Sequence, residues 1–226
     1  MTAATSTSNK SDPWEMALIH RLIRRGFEQA REAVLASGTT ARVGAVAEYV
    51  RFHLHGLEAH HSSEDELLWP LLRERASLSD TLIARMEKQH TGVHDALEVT
   101  RRELVAWEST PTPDRSKALA IALGDVIDAL EEHLAEEERD IVPLIAVHVT
   151  QSEWDNLGEV AFSKFTPKQR FTAMGEMLAT ANPNEAARML SGLPAPVKVI
   201  WRLLGRRRYE RFVAEVRGTL AANPGG

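Results

Sequence analysis

The chain has 226 residues, 43% of them hydrophobic and 26% charged, which is enough apolar material for a packed domain and too much for a disordered chain. It contains no cysteine. That excludes disulfides, zinc–thiolate sites, iron–sulfur clusters and thiol nucleophiles together, so any bound metal must be held by His and carboxylate. The net charge of -5 hides two unlike parts: residues 1–150 hold 16 Lys and Arg against 25 Asp and Glu, residues 151–226 hold 11 against 7, and all nine His fall in the acidic part.

Residues 1–12 are small, polar and aperiodic and read as a disordered tail. Asp12 before Pro13 reads as an N-cap followed by the first helical position. From there apolar residues recur at helical spacing in four segments, about 13–36, 41–76, 79–109 and 115–148. The separators, Ser37 to Thr40, Ser77 to Ser79 and Thr110 to Asp114, are rich in turn and capping residues. No stretch alternates as a strand does. The pattern predicts an all-α protein, an antiparallel up-down-up-down four-helix bundle over 13–149 with a smaller, basic helical extension over 150–226.

Within the extension, Thr150 and Glu153 form a capping signal, Thr166-Pro167 and Asn182-Pro183 read as helix starts, and the pattern breaks around Gly192 to Pro196. The last helix, about 197–217, carries Val199, Ile200, Leu203, Leu204, Phe212, Val213 and Val216 among six arginines. A basic amphipathic segment of this kind packs against the acidic bundle or engages a membrane surface or a protein partner, and it carries no specific nucleic-acid motif. No apolar run approaches the ~20 residues of a bilayer crossing, and no leader-like apolar core is present, so a cytoplasmic protein is expected.

The strongest motif is an internal echo. HHSSEDELLWPLL in the second segment and HLAEEERDIVPLI in the fourth both contain His-x-x-x-Glu followed by five residues and Pro-Leu: His60, Glu64, Pro70, Leu71 and His133, Glu137, Pro143, Leu144. Positions four apart share a helix face, so each motif aims an imidazole and a carboxylate the same way. Both pairs interrupt apolar stripes, Val50-Leu57-Leu68 in one segment and Val126-Leu130-Ile141 in the other. Burying a glutamate in a dry bundle costs several kcal/mol, roughly, unless a counter-charge sits beside it, and a bound cation would supply that charge. The third segment adds His90 and His94 one turn apart on the stripe of Met86, Val93 and Leu97, and the first adds His20 on the stripe of Met16, Ile23 and Phe27. Five imidazoles and two carboxylates without sulfur suit iron, with manganese, zinc or copper less favoured.

These residues resemble the hemerythrin-like HHE cation-binding family over about 13–150: a lone His in the first helix, His-x-x-x-Glu in the second, His-x-x-x-His in the third and His-x-x-x-Glu in the fourth. The resemblance implies a non-haem diiron centre with a bridging oxygen, His20 and His60 on one iron, His90, His94 and His133 on the other, and Glu64 and Glu137 bridging. The family's oxygen carriers place the last carboxylate five residues after its His, where Glu138 stands, whereas a regular helix favours Glu137. Five imidazoles, two bridging carboxylates and a bridging oxygen leave about one of twelve octahedral positions open, where dioxygen, hydrogen peroxide or nitric oxide could bind.

His53, seven residues before His60, reads as a core residue or a support behind the ligands. His55, His61 and His148 read as surface or capping residues, and Pro70 and Pro143 are expected to kink or end their helices. A ferritin-like carboxylate site needs Glu-x-x-His on two helices and two further Glu; Glu58-x-x-His61 and Glu87-x-x-His90 have that spacing, but Leu130 stands three residues before His133 and the pairing fails there. Three functions follow as expectations: binding or sensing of oxygen, catalase-like decomposition of peroxide or handling of nitric oxide, and a metal-dependent interaction module working through the basic helix.

Overall fold

The computed structural model describes residues 10–37, 42–76 and 80–218; residues 1–9 of the expected tail, residues 38–40 of the first expected separator with residue 41, the second expected separator at 77–79, and residues 219–226 lie outside the described residues. Every regular element among the described residues is helical, apart from an isolated bridge between Lys10 and Thr150.

The four periodic segments form α1 (Trp14–Ser37), α2 (Val43–Ser63) with its continuation α3 (Trp69–Arg75), α4 (Asp80–Ser109), and α5 (Pro113–Glu136) with its continuation α6 (Val142–His148). α1 packs on α2, α2 on α4, α4 on α5 and α5 on α1, a closed ring that fits a four-helix bundle. The described part of the N-terminal segment is held: Ser11 N–H donates to the Val149 carbonyl at 3.2 Å and Ser11 Oγ to the Ile145 carbonyl at 2.9 Å. Asp12 spends its carboxylate on Arg188 at 2.8 Å.

Pro70 and Pro143 do not end their helices. Each sits just past a π-helical turn, Glu64–Leu68 and Glu137–Ile141, closed by the N–H of Trp69 on the Glu64 carbonyl and of Val142 on the Glu137 carbonyl. A proline in an α-helix clashes with the carbonyl four residues back; the wider turn holds one residue more and relieves that clash, so the helix runs on as α3 or α6. The sequence echo is therefore also a structural one, His-x-x-x-Glu opening directly into a π turn on two helices.

The interior is two apolar clusters with a polar layer between them. Phe27, Val50, Leu57, Val93, Leu97, Trp107, Leu123 and Leu130 belong to one; Met16, Leu68, Trp69, Met86, Ile141 and Ile145 belong to the other. A fully buried Leu or Phe contributes about 1.5–3 kcal/mol, so these clusters carry the bundle. In passing between them, α1 crosses at His20, α2 at His60 and on into its π turn at Glu64, α4 at His90, and α5 at His133 and on into its π turn at Glu137.

The extension comprises α7 (Gln151–Ser163), α8 (Pro167–Thr180), α9 (Pro183–Gly192), α10 (Ala195–Ile200) and α11 (Arg206–Arg217), the last two joined by a π turn at Trp201–Gly205. Capping boxes form at Thr150, Thr166 and Asn182. α7 packs on α2, α8 on α1, and α11 on α2 and α8, so the extension covers the α1–α2 side of the bundle. No helix among the described residues is long and apolar enough to cross a membrane.

Candidate metal centre

His20, His60, His61, His90 and His133 point their Nε2 atoms into the polar layer, and Glu64 and Glu137 point both carboxylate oxygens there; none of these nine buried atoms has a hydrogen-bond partner among the described residues. Their ligand atoms fall into three groups, His20-His60-Glu137, His61-His90-His133 and His60-His61-Glu64, each within 4.8 Å. Glu137 Oε2 lies 3.3 Å from His20 Nε2 and 3.7 Å from His133 Nε2, while Glu64 lies 3.3 Å from His60 Nε2 and 3.6 Å from His90 Nε2. Each glutamate thus reaches a histidine of both sides.

An unmet buried polar atom costs about 1–3 kcal/mol. Nine together come to roughly 10 kcal/mol or more, comparable to the whole net stability of a domain, about 5–15 kcal/mol. A cation shared among these atoms removes that cost, and the residues present therefore fit a metal.

The far sides of the rings are tied. His90 Nδ1 donates to Asp65 Oδ1 at 2.7 Å, and the same oxygen accepts from Trp69 Nε1 at 2.8 Å. His20 Nδ1 donates to Glu138 Oε1 at 2.9 Å, which Arg24 also holds at 2.7 Å. His133 Nδ1 donates to Gln89 Oε1 at 3.2 Å, and Gln89 is braced by Glu136 at 2.9 Å. A proton fixed on Nδ1 leaves the Nε2 lone pair free for a metal.

Electrostatics agree. Burial holds His60 down to about 3 and His133 to about 4, and His61 well below its ordinary value, so these rings are neutral at neutral pH. Burial, and then the Glu137 charge, push Glu64 well up. Burial works the same way on Glu137 but is outweighed by His20, His60 and His133, which hold it well down. His20 is pulled down by burial, yet Glu137 and Glu138 raise it overall.

Of the residues expected at the site, His20, His60, Glu64, His90, His133 and Glu137 converge, and His94 does not. The buried seam of α4 steps through Ile83, Met86, His90, Val93, Leu97 and Thr100, and one further residue of rotation carries His94 to the exposed side. His61 stands in its place, stacked on His90 with ring centroids 4.0 Å apart and 4.9 Å from the ring of His133. The expected surface role of His61 is thereby corrected. Its signal was present, since His61 continues the seam of Leu54, Leu57, Glu64 and Leu68 at spacings of three and four.

Glu138 is partly exposed and braces His20 instead of facing the layer. His53 is buried against Phe27, Tyr49 and Phe52, outside the ligand groups, with burial and then Arg25 holding it down to about 3. His55 accepts no metal-like environment either; its Nε2 lies 3.0 Å from the Lys164 carbonyl.

Between the bundle and the extension lies a cavity of about 530 Å³, walled by side chains of α1, α2, α7 and α8, among them Ile19, Phe52, Leu157, Phe162 and Met177. His60 and His53 form part of its wall. One candidate ligand therefore borders an apolar cavity that the extension helps to line.

Unpartnered imidazoles and carboxylates facing one another across a helical bundle define a metal-binding helical protein. The family model of the hemerythrin HHE cation-binding domain matches residues 14–145, and the chain belongs to that family. The match ends before α7, so the extension lies outside it. Comparison with curated proteins and with solved structures found no match.

Proposed function

We propose that the bundle holds a dinuclear non-haem iron centre, with His20 and His60 toward one ion, His61, His90 and His133 toward the other and Glu64 and Glu137 between them, and that it binds dioxygen or a reduced oxygen or nitrogen species. The observation that carries this reading is the set of nine buried, unpartnered ligand atoms. Iron is favoured over manganese and zinc because the donor set is rich in imidazole nitrogen and holds no sulfur. When bound, such a centre supplies reversible electron exchange with a small ligand.

The chain's own residues do the rest. Asp65, Glu138 and Gln89 hold the rings in one tautomer, and the apolar clusters above and below the layer exclude water. The cavity beside His60 favours entry of small uncharged molecules such as dioxygen, nitric oxide or hydrogen peroxide over ions. We read residues 13–149 as the unit that carries the centre, its helices alternating up-down-up-down through short connections, and 150–226 as the extension that shelters one side. The cytoplasmic setting expected from the sequence belongs to the same reading.

Metal analysis and absorption spectroscopy of aerobically purified protein test it. About two irons per chain with near-ultraviolet oxo-bridge absorption are expected, and His60→Ala should lose most of that iron, since removing a ligand exceeds the about 10–100-fold cost of removing a support behind one. Unchanged iron in His60→Ala, or a protein purified without metal that takes up none, removes the proposal. Turnover of hydrogen peroxide by the loaded protein distinguishes an enzyme from a binding or sensing protein.

A further inference from the structure

The outward face of the α10–α11 segment is the surface that the metal reading leaves unused. Among the described residues there are eleven exposed large apolar side chains, and five of them, Val197, Val199, Ile200, Leu203 and Leu204, fall within one run of eight residues. Leu203 and Leu204 are 65% and 68% exposed. Single exposed leucines are ordinary, whereas a continuous apolar strip marks a contact surface.

The opposite face is already spent. Trp201, Gly205, Val213 and Val216 are buried against the rest of the molecule, so the strip cannot turn inward. Cations flank it. Residues 195–217 contain seven Lys and Arg against two Glu. Arg206 is paired with Glu210 and Lys198 donates to the Ser191 carbonyl, while Arg202, Arg207, Arg208 and Arg211 are exposed and make no ion pair among the described residues.

We propose that this face docks on an anionic phospholipid surface, Val199, Ile200, Leu203 and Leu204 entering the headgroup boundary and Arg202, Arg207, Arg208 and Arg211 meeting lipid phosphates. Exposed leucines have no use against a nucleic-acid backbone, and unpaired arginines beside an apolar strip match the two layers of a bilayer interface, hydrocarbon and phosphate. The segment lies in the interface and does not span it. This inference stands apart from the metal reading.

Flotation of the purified full chain with vesicles tests it. Vesicles of equal parts phosphatidylglycerol and phosphatidylcholine should retain the protein about tenfold better than phosphatidylcholine alone, with retention falling as salt rises. Leu203→Ser with Leu204→Ser, and separately Arg207→Gln with Arg208→Gln, should each cut retention about tenfold while far-ultraviolet circular dichroism and metal content stay unchanged. Equal retention on both vesicle types, or retention indifferent to either double variant, overturns the proposal. So does a dimer in solution that the leucine variant converts to monomer without any vesicle binding, which would assign the strip to a second copy of the chain.

Discussion

Asp65 holds two donors on one oxygen, the His90 ring at 2.7 Å and the Trp69 indole at 2.8 Å. A side chain four residues before a proline-linked tryptophan thereby fixes which nitrogen of a histidine on another helix stays bare. At this scale the site is a matter of single rotations about helix axes. His61→Ala should lose about half or more of the bound metal, because it removes one of three imidazoles from its group, and His94→Ala should keep the wild-type content; metal per chain by elemental analysis checks both. The reverse result would return His94 to the centre. Periodicity marked the four helices and most of the inward histidines, because ligands must share the face that apolar residues define. It did not separate His94 from His61, since His94 pairs with His90 one turn away as a ligand pair would, while the stripe through His60 drew the reading one residue off the seam that His61 continues.

Two elements of this fold are easily mistaken for defects. The π turns at Glu64–Leu68 and Glu137–Ile141 each hold one residue more than an α turn, and each begins at a candidate bridging glutamate. A pattern search with a fixed helical period has no term for such a turn, so the prolines read as breaks, whereas the helix absorbs them by widening. Deleting exposed Glu66 together with Pro70→Ala, which removes the ring that the wider turn accommodates, should therefore restore regular α geometry and leave α3 in register. Deleting exposed Arg51 from α2 would rotate every later residue of the helix by about 100° and take His60 and Glu64 out of the layer. Thermal denaturation and metal content compare the two: the first deletion should keep a cooperative transition, and the second should abolish metal binding. Equal damage from both would mean that the π turns are needed in their own right.

For the molecule as a whole, the polar layer makes stability depend on pH. Burial holds His53 and His60 at about 3 and His133 at about 4, below the ordinary 6.5. Between those values the unfolded chain binds more protons than the folded one, so this contribution is complete above about 6.5 and is lost as pH falls toward 3 to 4. His20, raised by its glutamates, and Glu64, pushed well up by burial, oppose the trend, while His61, held well below its ordinary value by burial, adds a fourth ring to it. Calorimetry of chelated protein should show Tm falling by about 5 °C or more from neutral pH to about pH 5; a flat profile would mean that the rings are not held neutral. The bundle and its acidic charge were legible from composition and spacing. The cover that α7, α8 and α11 form was not, because an amphipathic helix shows which side is greasy and not which neighbour it will meet.

That cover presses on a bundle whose width depends on Gly26. A methyl group there would lie 2.1 Å from Cε1 of His53, and His53 is wedged among Phe27, Tyr49 and Phe52. Gly26→Ala should act as a shim between α1 and α2, prising His20 away from His60 and emptying the proposed ion position that those two rings would share, so that metal per chain drops by about half; full occupancy would show the gap yielding elsewhere. The calibre of the opening between these helices is set by an atom that the chain omits.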